Sequence, residues 1–188
     1  MKLGKLTTLL LAFMLFSSEL VAKKLAKDSI YQLGISWTSQ NGTLTPLEHY
    51  QGKMVILAMT YTSCEYSCPL TVKKLQSIEK DLRAKKFDNY QIIIASLDPE
   101  NDKPEVLKAY MKKNNLSEKN WTFLTAKNDA EVRKLAVLLE VQYQKTEGKD
   151  FSHSNAMTML DSEGRIAYKL AGVSSNHSEL IKKVSSFK

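Results

Sequence analysis

Met54-Val55-Ile56-Leu57-Ala58-Met59-Thr60-Tyr61 runs without a break into Thr62-Ser63-Cys64-Glu65-Tyr66-Ser67-Cys68-Pro69, and the reading of this junction decides the fold. The first eight residues, opened by Gly52-Lys53, form the near-continuous apolar run of a strand covered on both faces. Pro69 suits the first turn of a helix, where its missing N–H costs nothing, and Val72, Leu75, Ile78 and Leu82 then recur at helical spacing. Gln91-Ile92-Ile93-Ile94-Ala95-Ser96-Leu97 reads as a second buried strand, which makes a right-handed βαβ unit. Both cysteines of the chain sit in its strand-to-helix turn. There the first free N–H groups and the positive end of the helix dipole favour thiolate over thiol.

Working outward, Ile30 to Trp37 and Thr43 to Leu47 flank Gln40-Asn41-Gly42, and Asn-Gly between strand-like segments predicts an N-terminal β-hairpin. Asp98-Pro99-Glu100-Asn101-Asp102-Lys103-Pro104-Glu105 is a turn cluster, with Asp102 and Glu105 at capping-box spacing ahead of a helix to about Lys113. Asp98 is read as ordering this turn, or as a residue that supports a site or docks a partner. Trp121 to Thr125 is a short strand, and Asp129 to Leu139 is an amphipathic helix with Val132, Leu135 and Leu139 inward. Asn155 to Leu160 and Arg165 to Leu170 make a closing hairpin around Asp161-Ser162-Glu163-Gly164, and Asn176 caps a last helix. The order predicts an α/β fold of the thioredoxin-like kind, a mixed sheet flanked by helices with an N-terminal β-hairpin.

The chain of 188 residues has room for a leader and one domain. Residues 1–22 have the layout of a signal peptide: Lys2 and Lys5, an apolar run from Leu6 to Phe16, and a cut expected after Ala22. The run falls short of the about 20 apolar residues of a membrane span, although an uncleaved leader could still tether the protein. Residues 23–188 then form the domain, expected in the periplasm or on the outer face of the inner membrane. Export places the cysteines where disulfides persist. The net charge of +7 rests on lysines such as Lys73, Lys74, Lys85, Lys86, Lys112 and Lys113. They read as solvated surface, or as a docking face for an acidic partner or an anionic membrane. No basic-aromatic platform or groove-reading motif appears, which argues against nucleic acid.

Three residues separate Cys64 from Cys68. On a regular helix that spacing places the Cβ atoms about 5–6 Å apart, wider than the roughly 3.5–4.5 Å of a disulfide. A looped Glu65-Tyr66-Ser67 could close the gap, so a reversible disulfide and a metal bridging two thiolates are both open. The third ligand of a copper site would come from His49, His153 or His177. His49 and His177 read as surface residues. His153 stands apart, because the segment before the closing hairpin faces the cysteine turn in thioredoxin-like folds. Oxidoreductases of that fold place a cis-proline there, and Pro46, Pro69, Pro99 and Pro104 all lie elsewhere. Met59, Met157 and Met159 read as core, with ligation the alternative.

These residues resemble the SCO/SenC family, copper chaperones of thioredoxin-like fold associated with the dinuclear copper centre of cytochrome c oxidase. The likeness covers about residues 28 to 188. It rests on Gly52-Lys53, Cys64-x-x-x-Cys68-Pro69, Asp98-Pro99-Glu100-x-Asp102-x-Pro104, and His153-Ser154 ahead of Leu160-Asp161-x-x-Gly164. It implies copper as cofactor, with Cys64, Cys68 and His153 as its ligands and the cysteines as a redox pair. Implied partners are a thiol reductant and either the copper-bearing subunit of cytochrome c oxidase or another copper enzyme. Glu65-Tyr66 replaces the family's common Pro-Asp, and Ser152 replaces an Asp before the histidine. The competing reading is a thiol–disulfide reductase or thioredoxin-like peroxidase, with Cys64 attacking and Cys68 resolving.

Overall fold

The computed structural model describes residues 25–146 and 150–187, so the signal peptide assigned to residues 1–22 lies outside the described residues. In chain order the elements are β1 (Thr38–Ser39), β2 (Met54–Thr60), α1 (Ser67–Ala84), β3 (Tyr90–Ser96), α2 (Pro104–Lys113) and β4 (Trp121–Thr125). There follow α3 (Asp129–Leu139), β5 (Tyr143–Lys145), β6 (Phe151–His153), β7 (Ala156–Leu160), β8 (Ile166–Ala171) and α4 (Ser178–Lys183). Six strands form one sheet in the order β1-β4-β3-β2-β7-β8, and β5 and β6 form a separate two-stranded ribbon. Strands β2, β3 and β4 are parallel; β1 pairs antiparallel with β4 at one edge, and β7 pairs antiparallel with both β2 and the other edge strand, β8. This is the thioredoxin-like mixed sheet flanked by helices that the element order predicts.

Strand alternation divides the core into two layers. Val55, Leu57 and Met59 of β2, with Ile93 and Ala95 of β3, face α3 and the N-terminal segment. Met54, Ile56 and Ala58, with Ile92 and Ile94, face α1, α2 and α4 through Val72, Leu75, Ile78, Leu107, Met111 and Leu180. Since both faces of β2 and β3 are covered, every one of their residues is buried, which is why the two runs are almost wholly apolar. Met59, Met157 and Met159 are buried in these layers, as the packing reading predicts.

The N-terminal hairpin forms only in part. The Asn-Gly turn is there, with the Gly42 N–H donating to the Ser39 carbonyl at 2.9 Å and Gly42 at φ +74°. The pairing beyond it shrinks to a single bridge between Thr38 and Leu44, and β1 takes β4 as its ladder partner. Ile30–Leu33 coils into a 3₁₀ turn, capped by the Ser29 side chain and closed by Gly34 in the left-handed region. Tertiary docking overrides the strand propensity. The Ile30 N–H donates to the Gly164 carbonyl at 2.9 Å, and Ser29 and Tyr31 lie where a Cβ on Gly164 would come within 2.6 Å of them. Gly164, at φ +80°, meets both a backbone and a packing requirement that only glycine satisfies.

Candidate metal centre

Strand β2 delivers the chain to the C-terminal edge of the parallel sheet, and the turn through Thr62 and Ser63 brings Cys64 in front of α1. Cys64 lies before the helix and Cys68 in its first turn, so the pair does not have the geometry of two positions on one regular helix. The formal N-cap, Tyr66, makes no side-chain cap bond. The sulfur of Cys64 takes that role: the Cys68 N–H points at Cys64 Sγ at 3.4 Å, and the Ser67 hydroxyl lies 3.6 Å from the same sulfur. Both thiols are free and buried, Cys68 completely.

Their chemistry differs because their surroundings do. Burial raises the Cys64 thiol, but hydrogen bonds from the Cys68 N–H, the Ser67 hydroxyl, the Cys68 thiol and the Tyr66 backbone outweigh it and bring it down to about 7. Burial pushes the Cys68 thiol well up, and the neighbouring Cys64 sulfur adds to the effect against a hydrogen bond from the Tyr61 backbone. One sulfur is thus readily ionised near neutral pH, and the other stays a thiol unless a metal displaces its proton.

His153 is the last residue of β6, a strand that the sequence pattern does not announce. The ribbon pairs Tyr143 with His153, Gln144 with Ser152 and Lys145 with Phe151. Its Nδ1 lies 3.3 Å from the Ser154 carbonyl, an acceptor only, so Nδ1 carries the proton and Nε2 keeps its lone pair. That Nε2 is 3.6 Å from Cys68 Sγ. Burial holds the imidazole below its ordinary value, against the pull of the Ser154 carbonyl, which keeps it neutral at pH 7.

The donor atoms of Cys64, Cys68 and His153 all lie within 4.8 Å of one another. Donors sharing one ion through bonds of about 2.0–2.3 Å sit roughly 3.5–4 Å apart, so a small contraction would complete a three-coordinate site. Two sulfurs and an imidazole without a carboxylate suit a soft or borderline ion such as copper and disfavour magnesium or calcium. No other group of three potential ligands occurs among the described residues. His49 is exposed beside Tyr50, and His177 Nε2 is 2.9 Å from the carboxylate of Asp81. His177 is therefore a half-buried structural residue rather than a surface one.

Asp102 does not cap α2, which starts with Lys103 at the cap and Pro104 in its first turn. Its carboxylate, 1% exposed, turns toward the cysteine loop instead. It accepts from the Thr62 N–H at 3.1 Å, from the Thr62 hydroxyl, and from the Ser96 hydroxyl at 2.5 Å. Three donors compensate a buried carboxylate that one cap bond would not, and they pin the residue two before Cys64 to the end of β3. Asp98 orders the turn, as the local reading predicts: its carboxylate accepts from the Asn101 backbone at 3.3 Å and side chain at 2.7 Å. The roles of Thr62 and Ser96 leave no signal in the sequence pattern, since each is one polar group at the end of an apolar run.

The SCO1/SenC family model matches residues 27–188. The chain belongs to the SCO1/SenC family. It is 31% identical over 140 residues to the SCO1 protein homolog of Bacillus subtilis, which covers 73% of this chain and 72% of that one. BsSco, a member of the Sco family of cytochrome c oxidase assembly proteins with a disulfide switch, superposes with a TM-score of 0.72 at 29% identity. That match covers 80% of this chain and 89% of BsSco. Arabidopsis thaliana ScoI with copper bound has the same fold, with a TM-score of 0.71 at 22% identity over 81% of this chain and 96% of its own. The two departures from the family pattern lie at the surface: Glu65, Tyr66 and Ser152 are all exposed, Tyr66 to 84%.

Proposed function

We propose that this SCO1/SenC protein takes up copper as cargo through Cys64, Cys68 and His153. It then delivers the ion to a copper enzyme, such as the copper-bearing subunit of cytochrome c oxidase, or reduces that enzyme's cysteines. The observation that carries the reading is the convergence of two sulfurs and one imidazole nitrogen within 4.8 Å. Cys64 offers a thiolate, His153 offers Nε2 with its tautomer set by the Ser154 carbonyl, and Cys68 becomes the second thiolate by giving up its proton as the metal enters. The copper-bound relative and the assembly role of BsSco support it by likeness.

The reducing branch needs only the cysteines. The Cys64 thiolate attacks one sulfur of the partner's disulfide and expels the other as a thiolate. Cys68 then attacks Cys64 in the mixed disulfide and releases the second partner sulfur. Two electrons pass to the partner, with one proton from the Cys68 thiol and the second from solvent; a Cys64–Cys68 disulfide remains, and a thiol reductant resets it. As the sole activity, this branch would make the protein a reductase rather than a metallochaperone.

Anaerobic titration of the reduced domain with Cu(I), against a chelator of known affinity, separates the readings. One equivalent bound is the expected result. Brisk disulfide reductase or peroxidase turnover, with no stoichiometric copper, would overturn the chaperone in favour of the enzyme. We further propose that residues 1–22 export the domain as a cleaved signal or keep it as an anchor, on the strength of the lysine-flanked apolar leader. A reporter fused after Lys188 should be active only outside the cytoplasm, and cytoplasmic activity of the fusion would contradict this.

A further inference from the structure

Tyr61 is the last residue before the cysteine turn, and its side chain is 4% exposed. Its hydroxyl spans 90 positions of chain to meet Phe151, accepting from the Phe151 N–H at 3.1 Å and lying 3.4 Å from the Phe151 carbonyl. The ribbon explains why those two groups are available. Its ladder bonds include those of Thr146 N–H to the Asp150 carbonyl and Ser154 N–H to the Gln142 carbonyl. The Phe151–Lys145 pair therefore falls at a non-hydrogen-bonded position, and Phe151 turns both polar groups away from β5. Left unpaired and half-buried they would weaken a strand of only three residues. Phe151 and His153, two apart, share one face of β6, and the Tyr61 ring meets both edge-on, with centroids 5.0 Å and 5.8 Å away.

We infer that Tyr61 is the positioning residue that hooks the β6 strand to the cysteine turn and so holds His153 Nε2 over Cys68. This rests on the reading of His153 as a copper ligand. Nothing else in β6 is needed for the hook: Ser152 is exposed, and the ribbon lies outside the six-stranded sheet. Removing one oxygen should therefore loosen the histidine while leaving the cysteines in place on β2 and α1.

Tyr61→Phe keeps the ring and removes the hydroxyl. In the metal-free protein, the Phe151 amide should exchange with solvent at least about tenfold faster while amides of β2 and β3 keep their protection. Cu(I) affinity should fall by about tenfold, and the same change made in a His153→Ala background should cost almost nothing further. An equal loss in that background would place the effect on Cys64, which the phenol also adjoins, or on the fold at large, and would overturn the proposal. Unchanged exchange at Phe151 would overturn it without reference to copper. If instead His153→Ala alone leaves copper binding intact, the ligand reading fails, whereas faster Phe151 exchange in Tyr61→Phe would still support the hook.

Discussion

Replacing His153 by Ala should lower the Cu(I) affinity of the reduced protein by about 100-fold or more and leave the cysteines able to form their disulfide. The two effects separate because the three donors come from two places in the chain. Both sulfurs belong to the β2–α1 turn, whereas the imidazole arrives on β6. Removing it takes away one donor of three, a larger loss than the tenfold to hundredfold typical of groups that only support a ligand. The interactions that lower the Cys64 thiol come from residues 66 to 68, so its thiolate persists in the variant. Chelator competition reads the affinity, and thiol counting after mild oxidation reads the disulfide. Wild-type copper affinity in the variant would remove His153 from the site, and free thiols after oxidation would contradict the independence of the two chemistries.

Oxidised protein should take up almost no Cu(I) until a reductant is supplied, because a sulfur in a disulfide no longer offers the thiolate that the ion requires. The sulfurs, within 4.8 Å as free thiols, must close to about 2.05 Å, and the movement falls on the short turn ahead of α1. Cys64→Ser and Cys68→Ser should each abolish the disulfide and also impair copper retention, in contrast to His153→Ala, which impairs only the second. The pH dependence follows from the difference between the thiols. With the Cys64 thiol near 7, raising the pH from 6 to 8 takes its thiolate from roughly a tenth to roughly nine-tenths of the molecules. Alkylation at Cys64 should rise through this range to a plateau, while Cys68, raised by burial, stays unreactive. A matching rise at Cys68, or copper uptake by the oxidised form equal to that of the reduced form, would contradict this account.

Much of the fold was legible wherever one local signal agreed with its burial. The runs before Tyr61 and through Ile92-Ile93-Ile94 are apolar on both faces, and only a strand covered on both sides tolerates that. The amphipathic helix at Asp129 to Leu139 begins and ends where its periodicity does, with Asn128 accepting from the Glu131 N–H at its start. Legibility failed where a residue's partner is remote in sequence. Ile30 to Trp37 has the composition of a strand, but docking on Gly164 makes its first four residues, Ile30–Leu33, a 3₁₀ turn. Asp102 stands at a capping position and bonds across 40 residues to Thr62 instead. Tyr143 to Lys145 and Phe151 to His153 are too short and too polar to announce a ribbon.

By itself the sequence determined the βαβ unit and the placing of both cysteines in its turn, because spacing along the chain governs residues that neighbour one another in a strand, turn or helix. The histidine to test came from the predicted fold and the family resemblance. Tertiary structure alone decided which thiol ionises, since Cys64 at the mouth of α1 receives hydrogen bonds that buried Cys68 does not. It also decided that His153 meets Cys68 across 85 positions while His49 and His177 stay away. Such meetings depend on how the ribbon is held against the sheet, through a phenol and two backbone groups whose pairing leaves no periodic trace in the chain.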